Sequence, residues 1–413
     1  MTIDAVAYLS MHTSPLAQPG FGSAGGMNVY IEELAATMAS RGVDAVVFTR
    51  RTDPEAPAVV VRRPGYRVVH VDAGPARELE TASLVPYVGT FAEGVVQWSA
   101  ANGPHFDLLH SHYWMSGWAG VVCKEAMGIP LANSFHTLGR IKDLARRSDE
   151  QPSGPLRTLT EQEVISRSDC VIASTPHEFE DLLDHYGADP GRLCTSPPGI
   201  DHETFRPGDA AEARRRLGLP AGPLILFVGR IQPLKGLDVA VRALAMLPPP
   251  EGGDAASGNP RLVVVGGPSG PDGAAELAAV EAIAARLGVA DRIHFVDPVP
   301  HRALAGYYQA ADLLVMPSRS ESFGLVAAEA QACGLPVVVS AVGGLRSVVA
   351  DDRSGLLVSG HEPADYAAAM HRLLVDPGLA MKLSVGAEEH AEQFSWSATA
   401  DRFLELYAGI TGK

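Results

Sequence analysis

Residues 313–329 read LLVMPSRSESFGLVAAE, and this stretch decides the fold. Leu313–Met316 has the length and unbroken hydrophobicity of a strand covered on both faces. After a polar turn, a helical pattern starts near Phe323 and ends at Cys333-Gly334, with Pro336 just beyond. A strand, a short loop and a helix in that order form half of a right-handed βαβ unit.

The same alternation runs through the chain in both directions. Ala5–Leu9, Ala45–Thr49, Val68–Val71, Leu108–His110, Leu131–Ser134 and Cys170–Ala173 read as strands, followed by Leu224–Val228, Leu262–Val265, His294–Val296, Leu313–Met316 and Val337–Ser340. These runs are apolar without alternation, so parallel sheets buried on both faces are expected, an α/β fold. The turn-rich segment from Pro197 to Gly208 divides them. A first Rossmann-like domain is expected over 1–200 and a second over 209–395. The helical stretch 396–413 is expected to return to the first. Doubly wound sheets bind ligands at the carboxyl ends of their strands, so two facing domains make a cleft. Residues 248–260 (PPPEGGDAASGNP) read as a low-complexity surface loop.

A length of 413 residues fits two domains, and 46% hydrophobic with 20% charged residues is ordinary for large buried sheets. The net charge of -15 disfavours nucleic acid and anionic lipid as partners. Apolar runs are strand-sized and the start lacks a basic-then-apolar leader, so no membrane span is expected and the location is read as cytoplasmic. Cys123, Cys170, Cys194 and Cys333 are far apart in sequence and are read as buried thiols without a redox or metal partner.

Charge clusters at two strand ends. Glu321 lies in the loop after Leu313–Met316, and Glu329 one to two turns into the following helix. Eight helical residues rise ~12 Å, much of the length of a nucleotide sugar. One carboxylate can accept from hexose hydroxyls and the other from ribose, with the amides of Ser322, Phe323 and Gly324 facing phosphate between them. Read singly, Glu321 is a helix-start acid and Glu329 a solvated one. The second cluster, Val228-Gly229-Arg230-Ile231-Gln232-Pro233-Leu234-Lys235-Gly236, places two cations after Leu224–Val228. Fixed cations stabilise a departing diphosphate as its charge grows, and alone they would be a basic turn.

Gly20-Phe21-Gly22-Ser23-Ala24-Gly25 matches the dinucleotide pattern G-x-G-x-x-G, which makes an NADP-dependent oxidoreductase the rival class. The context is poor, since the glycines do not follow a strand directly and the second strand ends in Arg50-Arg51 rather than a carboxylate. Gly25-Gly26 is read instead as opening a helix to Arg41-Gly42, its amides facing a diphosphate from the other wall. His12, Tyr113 and His136-Thr137 also sit past strand ends, and His136 can hydrogen-bond a donor hexose. In His110-Ser111-His112 the two imidazoles are taken to point to opposite faces, with His110 packed and no metal pair.

Together these motifs resemble the retaining glycosyltransferases of family 4, over nearly the whole chain. The likeness is densest at 10–31 (SMHTSPLAQPGFGSAGGMNVYI), 106–117 (FDLLHSHYWMSG), 227–236 (FVGRIQPLKG), 265–271 (VGGPSGP) and 320–332 (SESFGLVAAEAQA). The resemblance implies the GT-B architecture, two Rossmann-like domains across a cleft. It further implies UDP-N-acetylglucosamine as donor, retention at the anomeric carbon, and front-face attack without a dedicated base. Arg230 and Lys235 would hold the diphosphate with Gly26 opposite, Glu321 and His136 would meet the hexose, and Glu329 the ribose. Phe323, Gly324 and Leu325 would supply amides, Val299 would meet uracil, and His12, Gln18 and Asn28 would line the donor and reaction site. Tyr113, Thr137 and Arg157 match acceptor-phosphate contacts.

The acceptor side departs from the family pattern. Thr81 stands in place of a phosphate-contacting lysine, Ser23 in place of an aspartate, and residues 140–153 diverge. Arg77 and Lys142 are candidates to compensate. The expected function is therefore transfer of a hexose to a small polar acceptor, inositol 3-phosphate first, with a sugar phosphate, aminocyclitol or other polyol as the alternative. A nucleotide-sugar-binding protein without turnover is a third class. No cofactor or catalytic metal is expected, the UDP-sugar being a substrate, and a homodimer is compatible with the reading.

Overall fold

The computed structural model describes residues 2–413 except 23, 149, 221, 249–257 and 271. Ser23, Pro271 and most of the 248–260 loop thus lie outside the described residues. The chain forms two sheets. The first has eight strands in the order β3-β4-β2-β1-β5-β6-β7-β8 and the second six, β11-β10-β9-β12-β13-β14. The first comprises β1 (Ala5–Leu9), β2 (Asp44–Arg50), β3 (Val59–Val61), β4 (Arg67–Val71), β5 (Leu108–His112), β6 (Leu131–Ser134), β7 (Cys170–Ala173) and β8 (Leu193–Thr195). The second comprises β9 (Leu224–Val228), β10 (Arg261–Val265), β11 (Ile293–Val296), β12 (Leu313–Met316), β13 (Val337–Ser340) and β14 (Gly355–Val358). Every pairing is parallel except β3 with β4.

The central strands are buried at every residue, β1, β5, β9 and β12 among them, which is why they read as uninterrupted apolar runs. The three strands absent from the sequence reading, β3, β8 and β14, all lie at sheet edges. An edge strand is short and needs little hydrophobicity, so it leaves a weak signal.

In both sheets the order runs outward in opposite directions from two adjacent central strands, β1 and β5 in one, β9 and β12 in the other. Crevices open at the carboxyl ends of such strands. The helix Gly26–Ser40 leaves the β1 crevice, and Leu325–Ala332 leaves that of β12. After the second sheet the chain returns, and helix Trp396–Thr411 packs beside Gly26–Ser40. Its Trp396, Phe403 and Tyr407 are buried with Tyr8, Tyr30 and Ile31 of the first core. Arg41 clamps the same junction through Ser397 and Asp401.

Candidate functional site

A cavity of about 2460 Å³ lies between the two sheets, lined by strand-end loops of both. On the second sheet's wall, β12 delivers Glu321. Its Oε1 accepts from Lys235 Nζ at 2.5 Å and from Ser318 Oγ at 2.9 Å. Oε2 bonds no donor among the described residues. The Glu321 carbonyl accepts from Gly344 N at 2.8 Å, and a Cβ on Gly343 would strike that carbonyl at 2.2 Å. This glycine pair lets the β13 loop press on the glutamate loop, and no sequence motif had marked it.

The helix begins at Leu325, two residues later than the expected start near Phe323. Gly324 has φ +106°, outside the helical range and costly for any side chain, so it turns the chain into the helix instead of joining it. The amides of Phe323, Gly324 and Leu325 bond no acceptor among the described residues and line the cavity. Glu329 is buried, with Oε1 on His301 Nε2 at 2.7 Å and Oε2 on Tyr308 OH at 3.0 Å. Burial, the largest single influence, would lower the His301 imidazole, but Glu329, with Glu33 and Glu32, carries the net direction upward. Each Glu329 oxygen keeps a second lone pair for another donor. Both partners lie far from Glu329 in sequence, so no spacing pointed to them.

Arg230 lines the same cavity as Lys235 and reaches the first wall at Gly25. A Cβ on Gly25 would lie 3.6 Å from Arg230 Nε, and one on Gly26 3.3 Å from Leu325 Cδ1. The two helix N-termini therefore meet across the gap with glycines at the contact. Burial depresses the Arg230 guanidinium from its ordinary value, with Glu321 and Tyr113 acting against this. It bonds no acceptor among the described residues.

On the first wall, Gln18 Nε2 donates to the Pro298 carbonyl at 3.1 Å, beside Val299, and Ser269 Oγ to that of Gly22. Asn28 departs from expectation and does not line the cavity. Its amide group is spent on Thr13 Oγ1 (2.7 Å) and the Ser14 carbonyl (2.6 Å), and its Oδ1 on Gly25 N (2.8 Å), so it shapes the glycine loop from beneath. His136 adopts φ +59°, a strained conformation for a non-glycine residue, and its carbonyl accepts from Ser322 Oγ across the gap. Its Nε2 meets His112 Nδ1 at 2.9 Å, and the residue lines the cavity.

His110 and His112 correct the sequence reading. Their ring centroids are 4.3 Å apart on one side of β5, because residues i and i+2 of a strand share a face. His110 is packed as expected, between Tyr407 OH (2.7 Å) and Ser134 Oγ (3.0 Å). Burial lowers the imidazoles of His12, His110 and His136 to about 3, and that of His112 well below 6.5. These rings are neutral near pH 7. A second correction concerns the cysteines. Cys170 and Cys194 place their sulfurs 2.8 Å apart, since β7 and β8 are neighbours.

Tyr113, Thr137 and Arg157 come together on the first wall. Arg157 lies over the Tyr113 ring at 5.2 Å and donates to Thr137 Oγ1 at 3.1 Å and Glu161 Oε1 at 2.8 Å. His12 packs on Tyr113 at 4.3 Å between centroids. Thr81 and Lys142 line the cavity, whereas the exposed Arg77 is not among its described lining residues. Arg50 and Arg51, which a dinucleotide phosphate would need, are engaged elsewhere. Arg50 donates to the carbonyls of Pro75 and Arg77, and Arg51 pairs with Asp72.

Comparison with known proteins matches residues 25–199 to the model described as "Glycosyl transferase 4-like domain" and 209–390 to "Glycosyl transferases group 1". The chain is 47% identical to the D-inositol 3-phosphate glycosyltransferase of Thermomonospora curvata, covering 99% of this chain and 96% of that one. It is 48% identical to D-inositol 3-phosphate glycosyltransferase 2 of Catenulispora acidiphila, covering 98% and 94%. Among solved structures, the sucrose-phosphate synthase of Thermosynechococcus elongatus superposes with a TM-score of 0.90 at 34% identity, covering 99% of both chains. Anabaena HepE in complex with UDP and glucose superposes at 0.78 with 18% identity, covering 98% and 100%, a likeness of fold alone.

Proposed function

Because the chain belongs to the group 1 and 4-like glycosyltransferases and has their GT-B fold, we propose that it moves N-acetylglucosamine from UDP to a small phosphorylated polyol, inositol 3-phosphate first, with retention of configuration. The observation that carries this reading is that the Lys235–Glu321 pair and Arg230 line one cavity, with Arg230 against Gly25 and Leu325 against Gly26 at the opposing helix N-terminus. A UDP-sugar laid there would set its diphosphate against two cations and two helix N-termini. Lys235 keeps two N–H groups beyond its bond to Glu321. Glu321 Oε2 and His136 would take hexose hydroxyls, Glu329 the ribose, and the Val299 main chain the base.

As the glycosidic bond breaks, negative charge gathers on the diphosphate and the fixed cations lower the barrier. His12 and His136, held near 3, are poor bases, so the acceptor proton would pass to the departing phosphate oxygen on the same face. Front-face attack of that kind retains configuration. Cations and amides supply the charge neutralisation, so turnover is expected without added metal. Among the described residues no helix is long and apolar enough to cross a membrane.

The phosphorylated acceptor rests on Arg157, Thr137 and Lys142, which line the cavity, and on the curated relatives and the sucrose-phosphate synthase, whose names contain a phosphate. Thr81 and the likeness to a sucrose-phosphate synthase favour a sugar phosphate as the second reading. Incubating the protein with UDP-N-acetylglucosamine, UDP-glucose and a panel of polyol and sugar phosphates, then reading products by mass and by anomeric proton coupling, tests both. The expected product is an α-linked N-acetylglucosaminyl inositol phosphate. An inverted β-linkage, or transfer only to unphosphorylated acceptors, would refute the proposal.

A further inference from the structure

Cys170 opens β7, and Cys194 is the middle residue of β8. Ile172 pairs with Cys194, and Cys170 lies two residues before Ile172, so both thiols stand on one face of the sheet. Their sulfurs are 2.8 Å apart and both cysteines are free. An S–S bond is about 2.05 Å, so the sulfurs need to close by only about 0.8 Å. The strand that must yield, β8, is three residues long and hydrogen-bonded on one side alone. The two thiols also differ in access. Cys170 is 1% exposed, while Cys194 is partly open.

We propose that Cys170 and Cys194 form a dithiol–disulfide site that exchanges with low-molecular-weight disulfides, Cys194 attacking and Cys170 resolving. The Cys194 thiolate attacks one sulfur of the oxidant R–S–S–R, the oxidant's S–S bond breaks, and one thiolate leaves. Cys170, having given up its proton, then attacks Cys194 Sγ in the mixed disulfide and expels the second thiolate. Two protein thiols are oxidised to one disulfide, one external disulfide is reduced to two thiols, and the two protons pass to the leaving thiolates. The order follows access, because Cys170 is buried and needs to reach only its neighbour. The hydrogen bond from Cys170 also draws the Cys194 thiol below its ordinary range, while donating that bond and burial push Cys170 up. More thiolate therefore forms on the accessible sulfur. Cys123 and Cys333 are free and buried.

The link would tie β8 to β7 directly before the chain crosses to the second sheet. In that crossing Pro197 accepts from Thr399 Oγ1, and Ile200 donates to the Phe394 carbonyl. The site is independent of which sugar is transferred.

The full-length protein, reduced and then freed of reductant, is incubated with glutathione disulfide, quenched by alkylation and digested for mass spectrometry. The expected result is a chain lighter by two hydrogens, with the Cys170 and Cys194 peptides joined and separated again by dithiothreitol. Cys170→Ser is expected to stop at a glutathione adduct on Cys194, and Cys194→Ser to gain none at Cys170. Wild-type protein whose Cys194 keeps the glutathione without closing, or whose two thiols are both alkylated after oxidation, would overturn the proposal.

Discussion

Lys235 carries the sharpest residue-scale consequence. Its ammonium bridges Glu321 and the expected diphosphate position, so Lys235→Ala removes stabilisation that grows as the leaving group departs. Removal of such a charge is expected to lower kcat at least about tenfold, with a smaller change in donor KM. Steady-state kinetics with varied donor check this, and a kcat near wild type contradicts it. Much of this wall was legible in the sequence, because Arg230, Lys235 and Glu321 each follow a recognisable strand within a few residues. The supports of these residues were not. His301 and Tyr308 reach Glu329 only through tertiary folding, as does Ser322 to the His136 carbonyl. Asn28 shows the converse, where motif position led to a cavity role but its donors and acceptor are all used within its own wall.

At the scale of elements, β5 carries two buried neutral imidazoles into the first core, and this makes stability depend on pH. Unfolded histidines titrate near 6.5, whereas burial holds folded His110 at about 3. Below pH 6.5 the unfolded chain therefore binds more protons, and folding stability falls as pH falls, while above 6.5 nothing is lost. One such histidine costs about 1.4 kcal/mol between about pH 7.5 and 5.5. His110→Gln deletes that titration, so its stability should drop by about that much less over the same interval, read from urea unfolding at both pH values. Equal drops in variant and wild type would contradict a neutral His110. Strand positions were legible wherever both faces are covered, as in β1, β9 and β12. The edge strands β3, β8 and β14 were not, and with β8 went the meeting of Cys170 and Cys194. Facing along β5 was misread for His110 and His112, where the period of two places both rings together.

For the whole molecule, the two halves meet around a large cavity through identifiable bonds, among them Gln18 to Pro298 and Ser322 to His136. Arg147 reaches the buried Glu276 at the start of helix Gly273–Arg286 at 2.8 Å, joining the divergent 140–153 segment to the second half. Arg147→Ala is expected to open the cleft. Small-angle scattering should show a larger radius of gyration, and hydrolysis of the donor should rise relative to transfer, since water enters a looser site. Unchanged scattering and partition would assign Arg147 no part in closure.

In the proposed reaction a pyrophosphate is held between two helix N-termini by Arg230 and Lys235. Calorimetric titration of UDP into wild type and into the Arg230→Ala, Lys235→Ala double variant tests it most directly. Two lost charge-assisted contacts at ~1.5–3 kcal/mol each predict at least a hundredfold rise in Kd. A double variant that binds UDP as tightly as wild type would contradict the account.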